Sequence, residues 1–306
     1  MIISCGEALI DMLPRTTPQG EAAFAPYAGG AVFNTAIALG RLGVKAGFFS
    51  GISNDMLGEI LTQSLEQSKV DHSFAARSNR PTTVAFIKLV DGQATYAFYD
   101  ENTAGRLLNG DDLPLLDDNV STLFFGGISL VNDPAASTYE ALQAREADRR
   151  VTMIDPNIRP SFITDQTNYR ARIERMISRA DIVKMSDEDL HWLLGEGDLE
   201  NLGRSILDKG PKLVLITQGA LGARALMRDH NRFCKAPLAI VADTVGAGDT
   251  FNAGVLAALD QLGHRTKGAI ARLTESDLDA ALSLATRAAA ITVARAGANP
   301  PWADEL

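Results

Sequence analysis

Cysteine is scarce in this chain. Only Cys5 and Cys234 occur among 306 residues, and they lie far apart. That excludes a disulfide framework or a cysteine-built zinc site, and each thiol reads as a small buried hydrophobe. Long apolar runs are also missing. No stretch of about 18 apolar residues is present, so no transmembrane helix is expected. The opening Met-Ile-Ile-Ser-Cys-Gly-Glu has no signal-peptide charge pattern. These absences point to a cytoplasmic, reducing setting. Basic charge is in deficit, 29 residues against 38 acidic, for a net charge of −9. Such a surface disfavours nucleic acid or an anionic membrane as the main partner. It does not disfavour ATP, because local fields at helix starts decide anion binding. Repeats, linkers and low-complexity segments are absent. The length suits one large α/β domain with an attachment, or two small domains.

Two nucleotide signatures are lacking as well. No Lys-Ser/Thr follows the glycines as in a Walker A loop. No Gly-x-Gly-x-x-Gly follows the first apolar run, which disfavours a dehydrogenase. What is present centres on Asp243-Thr-Val-Gly-Ala-Gly-Asp249-Thr-Phe-Asn-Ala-Gly254. The apolar run Leu238-Ala-Ile-Val-Ala242 before it is expected to end a strand, and Gly254–Leu259 reads as a buried helix. Gly246 and Gly248 let the backbone turn sharply and a ligand approach. The free N–H groups of a helix start suit phosphate. Asp249 at that start suits removal of a proton from an alcohol that attacks a phosphoryl group. The competing reading is an ordinary N-cap.

The same stretch closely resembles the C-terminal signature of the PfkB (ribokinase-like) carbohydrate kinases. Gly29-Gly30-Ala31, Asn34, Leu39-Gly40 and Leu42-Gly43 resemble that family's N-terminal signature, more than 200 residues upstream and in the expected order. Gly51-Ile-Ser-Asn-Asp55-Met-Leu-Gly58 and Asp155-Pro-Asn-Ile-Arg159 are further matches. The resemblance covers almost the whole chain. It implies a ribokinase-like three-layer α/β/α sandwich over residues 1–306, with a mostly parallel central sheet. A small β lid would come from about 81 to 108, with a short segment near 13–28. It implies ATP-dependent phosphoryl transfer to a sugar hydroxyl, with Mg²⁺ bridging the phosphates. Asp249 would be the base, and the backbone of Gly246, Ala247, Gly248 and Asp249 the anion hole.

Other expectations follow in chain order. Ile2–Cys5 reads as a strand, and Asp11 lies just past its carboxyl end, where open α/β sheets place ligand groups. Its carboxylate can accept from two sugar hydroxyls; a solvated turn residue is the alternative. By the resemblance Asp11, Gly29, Gly30 and Asn34 hold the sugar, although Asn34 could instead cap its helix. Thr82–Val90, Asp91-Gly92 and Gln93–Tyr99 read as a hairpin with two different faces. Tyr96, Phe98 and Tyr99 are its candidates to close over the sugar, against plain core packing. Val120–Ile128 is an apolar central strand, and a helix runs from Pro134 to Arg150. Arg159 would reach the sugar or the transferring phosphate, or else sit in a salt bridge. Ser186-Asp-Glu-Asp189 stands where most of the family has Asn-x-x-Glu. Glu188 and Asp189 are thus candidates to order a hydrated Mg²⁺, against an acidic first turn favoured by the helix dipole. Lys184 would reach phosphate. Thr217, Gly219, Gly222 and Thr244 match the nucleotide-binding segments, and the alanine-rich Leu282–Val293 would flank the adenine. Asp243 would help hold a monovalent cation, K⁺. The expected sugar is D-fructose, since the opening and Phe98-Tyr99 look like bacterial fructokinases. Within the family 2-keto-3-deoxygluconate, ribose or a nucleoside are the alternatives; outside it, a non-catalytic sensor. An exposed lid edge leads to the expectation of a homodimer.

Overall fold

The computed structural model describes residues 1–90 and 93–306, with the backbone alone for 87–90 and 93–96. The Asp91-Gly92 turn and the side chains of Lys88 and Tyr96 therefore lie outside the described residues. The chain starts with β1 (Ile2–Cys5) and leaves the body as a hairpin, β2 (Leu9–Thr16) and β3 (Ala22–Gly29). It returns through α1 (Ala31–Arg41) to β4 (Ala46–Phe49), then β5 (Gly51–Ser53), α2 (Met56–Gln67), β6 (Val70–Asp71) and β7 (Ala76–Ser78). A second excursion forms β8 (Val84–Val90) and β9 (Gln93–Tyr99). Strand and helix then alternate: β10 (Thr122–Gly126), α3 (Ala135–Glu146), β11 (Val151–Asp155), α4 (Gln166–Arg179), β12 (Ile182–Ser186), α5 (Asp187–Leu194), α6 (Leu199–Leu207) and β13 (Leu213–Thr217). The hairpin β14 (Ala223–Leu226) and β15 (Asn231–Cys234) precedes α7 (Ala247–Gln261), α8 (Lys267–Ile270) and α9 (Glu275–Val293).

Nine strands form the large sheet in the order β15-β14-β13-β12-β11-β10-β1-β4-β6. From β13 to β6 all neighbours are parallel; β14 and β15 are antiparallel. Parallel strands covered on both faces are mostly apolar, and β10, β11 and β12 are mostly so, with Asp155 and Lys184 as the charged exceptions near their carboxyl ends. Successive residues serve opposite layers. Ile2 packs with Met153, Ile182 and Leu256 on the α7 side, and Ile3 with Ile154, Val183 and Tyr139 on the α3 side. This is the expected α/β/α sandwich. Among the described residues no helix is long and apolar enough to cross a membrane.

The small sheet has the order β3-β2-β8-β9. It begins earlier than the expected boundary near 13, because Leu9–Met12 already pair with Pro26–Gly29. Residues paired across strands share a face. Asp11 pairs with Tyr27 and Ala85, and Ala85 with Phe98, so Asp11 and Phe98 face the same way. Tyr99 pairs with Val84 and lies on the opposite face. There Phe24, Phe86 and Tyr99 meet edge to face at 5.0 and 5.8 Å, with Phe24 and Tyr99 half exposed. Tyr99 therefore faces away from Asp11, contrary to its expected place over the sugar.

The run Leu238–Ala242 forms no strand. It is irregular, and Leu238 and Ile240 are fully exposed. Pro237 before the run has no N–H for a ladder. Instead Ala242 N donates to Val293 O at 2.8 Å, which ties the segment to the end of α9. Helix α7, which follows it, lies against α9 so closely that a Cβ on Gly254 would stand 2.5 Å from Ala285 Cα. Gly254→Val is expected to cost about 1–3 kcal/mol by overpacking. A thermal melt checks this: the midpoint should fall by several degrees, and an unchanged midpoint would contradict the packing.

Candidate active site

The site forms where α7 starts, over the carboxyl ends of β11 and β12. Gly246 is the N-cap of α7, with φ +79°, and a Cβ there would also stand 2.7 Å from the Ala298 Cβ. A side chain is thus doubly disfavoured. The first turn is Ala247, Gly248 and Asp249. Helix starts leave their first N–H groups without intrahelical partners, and the dipole makes this end positive. The turn can therefore accept an anion.

Asp249 is 7% exposed. It is not the N-cap. Asn34 Nδ2 donates to its Oδ2 at 2.9 Å, and Thr35 Oγ1 donates to its backbone oxygen at 3.2 Å. Asn34 is likewise no cap, since α1 begins at Ala31. The two signature segments thus meet, 215 residues apart in sequence. Burial, above all, pushes the Asp249 carboxyl from 3.8 up to about 7; Asn34 and Lys184 oppose the shift, while Asp155 and Glu7 add to it. A carboxylate tuned near neutrality can take a proton from an alcohol and hold it.

Asp11 lies on β2, and a Cβ on Gly29, which pairs with Leu9 two residues before it, would stand 2.3 Å from Asp11 Oδ2. Burial pushes its carboxyl up to about 6. Gly30 leads from there into α1. Phe98 packs edge-on against Phe162, centroids 5.1 Å apart, which joins the small sheet to the turn after Arg159. Arg159 is exposed and bonds only its neighbour Ile158 O, at 3.1 Å, among the described residues. Its competing reading as a salt-bridge partner finds no carboxylate there.

On the other side Thr217 ends β13, and Gly219 and Gly222 take positive φ of 52° and 127° in the loop that follows. An open cleft of about 440 Å³ borders this loop, lined by Gln218, Leu221, Arg224, Phe233 and Lys235. Lys184 Nζ donates to Asp155 Oδ2 at 3.0 Å and would stand 3.4 Å from a Cβ on Gly248. It therefore lies directly behind the first turn of α7. Asp189 is buried and serves the backbone: Oδ1 accepts from Ile158 N at 2.8 Å and Oδ2 from Ser186 N at 3.0 Å. With Ser186 it makes a capping box, while Glu188 is exposed. Asp243 accepts from Val245 N and Gly297 N at 3.0 and 2.9 Å, and Thr244 beside it is exposed. Among the described residues no group of three or more His, Cys, Asp or Glu is placed to hold a metal.

Sequence reasoning assigned nothing to three residues of this site. Glu7 Oε1 accepts from Ala31 N at 2.9 Å and Oε2 from Ser129 N at 3.2 Å, which fixes the start of α1. Burial pushes its carboxyl up, and its hydrogen bonds counter that. Asp155 and Asn252 form a second buried set, with Asn252 Nδ2 at 2.7 Å from Asp155 Oδ2. Only the polar strand end Asp155-Pro-Asn-Ile-Arg159 gave a hint.

The raised Asp249 value has a stability consequence. A buried acid with a native pKa of about 7 against 3.8 keeps its proton between those values when folded and loses it when unfolded. Stability is thus lost as pH rises through that window, by roughly 4 kcal/mol at most. Asp249→Asn should therefore melt higher than the wild type at pH 8, with the difference shrinking toward pH 4. A constant difference at all pH values would contradict the shift.

Comparison with known proteins gives a consistent answer. Residues 1–305 match the pfkB family carbohydrate kinase. A fructokinase from Rhizobium leguminosarum bv. trifolii is 56% identical over 278 residues, 91% of this chain and 85% of that protein. A fructokinase from Klebsiella pneumoniae is 31% identical, with 98% and 96% covered. Among solved structures, fructokinase with bound ATP from Xylella fastidiosa has a TM-score of 0.88 at 27% identity, covering 97% of this chain and 93% of that one. A Vibrio cholerae fructokinase double mutant, bound to fructose, ADP and potassium, has a TM-score of 0.84 at 25% identity, with 97% and 93% covered. The chain belongs to the pfkB carbohydrate kinases and is an ATP-dependent carbohydrate kinase.

Proposed function

We propose that the protein phosphorylates D-fructose to fructose 6-phosphate. The observation that carries the mechanism is the buried Asp249 in the first turn of α7, bonded to Asn34 and tuned to about 7. The sugar lies between the small sheet and α7. Asp11 accepts from its hydroxyls, Gly29 and Gly30 let it approach, and Asn34 reaches both it and Asp249. Phe98 and the other inward residues of the small sheet exclude water, which would otherwise compete as acceptor. Asp249 takes the proton as the hydroxyl attacks the γ-phosphorus. The N–H groups of Ala247, Gly248 and Asp249, with Lys184 behind them and Arg159 opposite, stabilise the charge that develops on the phosphoryl oxygens.

ATP is bound along Thr217, Gly219, Gly222 and Thr244, with the end of α9 flanking its base. The exposed Leu238, Ile240 and Val241 offer that base apolar cover. Mg²⁺, when bound, would offset the charge of the phosphates. With both Asp189 oxygens on backbone amides, Glu188 and Asp187 are the carboxylates left to hold its waters. Asp243 would bind a monovalent cation such as K⁺.

Among the described side chains, the three arginines flanking the small sheet are engaged elsewhere, which favours a neutral sugar. Arg77 bonds Asn54, Thr62 and Ser53 O; Arg80 bonds Asn102; Arg106 bonds Asp100. None of these three is left for the carboxylate of 2-keto-3-deoxygluconate. The half-exposed Phe24 and Tyr99 on the outer face of the small sheet support a homodimer through that sheet.

An ADP-release assay with ATP and Mg²⁺ over fructose, ribose, 2-keto-3-deoxygluconate, tagatose, glucose and adenosine should give fructose the highest kcat/KM. Another winner would overturn the substrate, and no turnover with intact ATP binding would overturn catalysis. Asp249→Asn should lower kcat by roughly 10²–10⁴-fold or more and leave sugar binding largely intact. In the wild type, kcat/KM should fall as pH drops below about 7, where Asp249 becomes protonated. Asp11→Ala should raise KM for fructose with little change in KM for ATP; equal effects on both would remove Asp11 from the sugar site.

A further inference from the structure

Behind the first turn of α7 lies a buried set of three side chains from three elements. Asp155 closes β11, Lys184 lies on β12 and Asn252 on α7, three residues after Asp249. They are 2%, 4% and 1% exposed. One oxygen, Asp155 Oδ2, accepts from both Lys184 Nζ at 3.0 Å and Asn252 Nδ2 at 2.7 Å. The other, Oδ1, accepts from Asn157 N at 3.1 Å. Asp155 and Lys184 lie on the α7-side face of the sheet, where Met153 and Ile182 below them belong to the apolar core, and Asn252 reaches them from α7.

A buried ion pair is a poor way to gain stability, because well-packed apolar residues do as well or better. Its placement needs another reason. An ammonium has three N–H donors, and Asp155 takes one. The Nζ sits 3.4 Å from where a Gly248 Cβ would be, against the backbone of the anion-binding turn. Burial works against its charge, but Asp155 and then Asp189 outweigh that and hold the amine above the ordinary lysine value. Asn252 is anchored from one end: its Oδ1 has no partner among the described residues.

We propose that Asp155 is a positioning residue for phosphoryl transfer. Its Oδ2 aims the Lys184 ammonium at the anion hole and locks the turn of α7 that carries Asp249 through Asn252. One carboxylate oxygen thereby keeps cation, anion hole and base in a single geometry. The inference rests on the kinase reading above, and the test separates the two.

Asp155→Asn, Lys184→Met and the double variant are compared with the wild type. Asp155→Asn should lower kcat by about tenfold or more, as small misplacements of reacting groups do, with KM for the sugar within about twofold. Because Asp155 acts largely through Lys184, the double variant should be no more than slightly slower than Lys184→Met. Titration with ADP plus aluminium fluoride, a stand-in for the transferring phosphoryl group, should weaken by a similar factor in Asp155→Asn, while ADP alone binds as before. The melting temperature should fall in Asp155→Asn, where the ammonium loses its counter-charge, and recover in the double variant without recovery of kcat. Losses that multiply in the double variant, or kcat returning together with stability, would reduce Asp155 to a structural role and overturn the proposal. An active wild type matched by Asp155→Asn would also overturn it. A wild type that turns over no sugar, yet shows the aluminium fluoride difference, would sink the kinase reading and leave the positioning role standing.

Discussion

Burial of one carboxylate at the first turn of α7 is the constraint on which the site depends. Asp249 is out of water, and among the described residues no cation bonds it directly; its side-chain donor is the neutral Asn34. That environment raises its affinity for a proton, which makes it a usable base near neutral pH and also makes the native state less stable there. The rest of the structure is arranged to hold it in place. Gly254 lets α7 press against α9, α1 brings in Asn34 and Thr35, and the strand ends supply Asp155 and Lys184.

In the proposed reading the two substrates meet this turn from opposite directions. On the sugar side Glu7 accepts the amides at the start of α1 and a third from Ser129, so the glycine pair before that helix is held from both the first strand and the central sheet. The small sheet hangs from the same region through Asp11 and Gly29, and touches the body again where Phe98 meets Phe162. On the nucleotide side the cover is sparse: the apolar Leu238–Val241 segment projects outward and is tied down at Ala242. An open nucleotide side beside a covered sugar side fits an enzyme that keeps water from the acceptor.

Much of this was legible in the sequence because it is local. The strand–helix alternation from Val120 onward, the hairpin around Gln93–Tyr99 and the glycine turn before Asp249 each depend on neighbours in the chain. What was not legible depends on distant partners. Leu238–Ala242 is apolar enough for a strand, but its end is tied to Val293 of α9, 51 residues away, instead of to a sheet. Alternation gave the second hairpin two faces, yet only the register with β2 decides that Phe98 and not Tyr99 shares a face with Asp11. The acidic Asp187–Asp189 run looked like metal chemistry; contact with Ile158 N, 31 residues away, turns Asp189 to the backbone. Glu7 and Asn252 act across 24 and 97 residues, beyond any periodic pattern.

The central claim is that Asp249 titrates near neutral pH. It is tested most directly by ¹³C NMR titration of protein labelled at the aspartate carboxyl carbons, with Asp249→Asn used to assign its signal. The account predicts an inflection near pH 7. A signal that titrates in the ordinary aspartate range near 4 would contradict it.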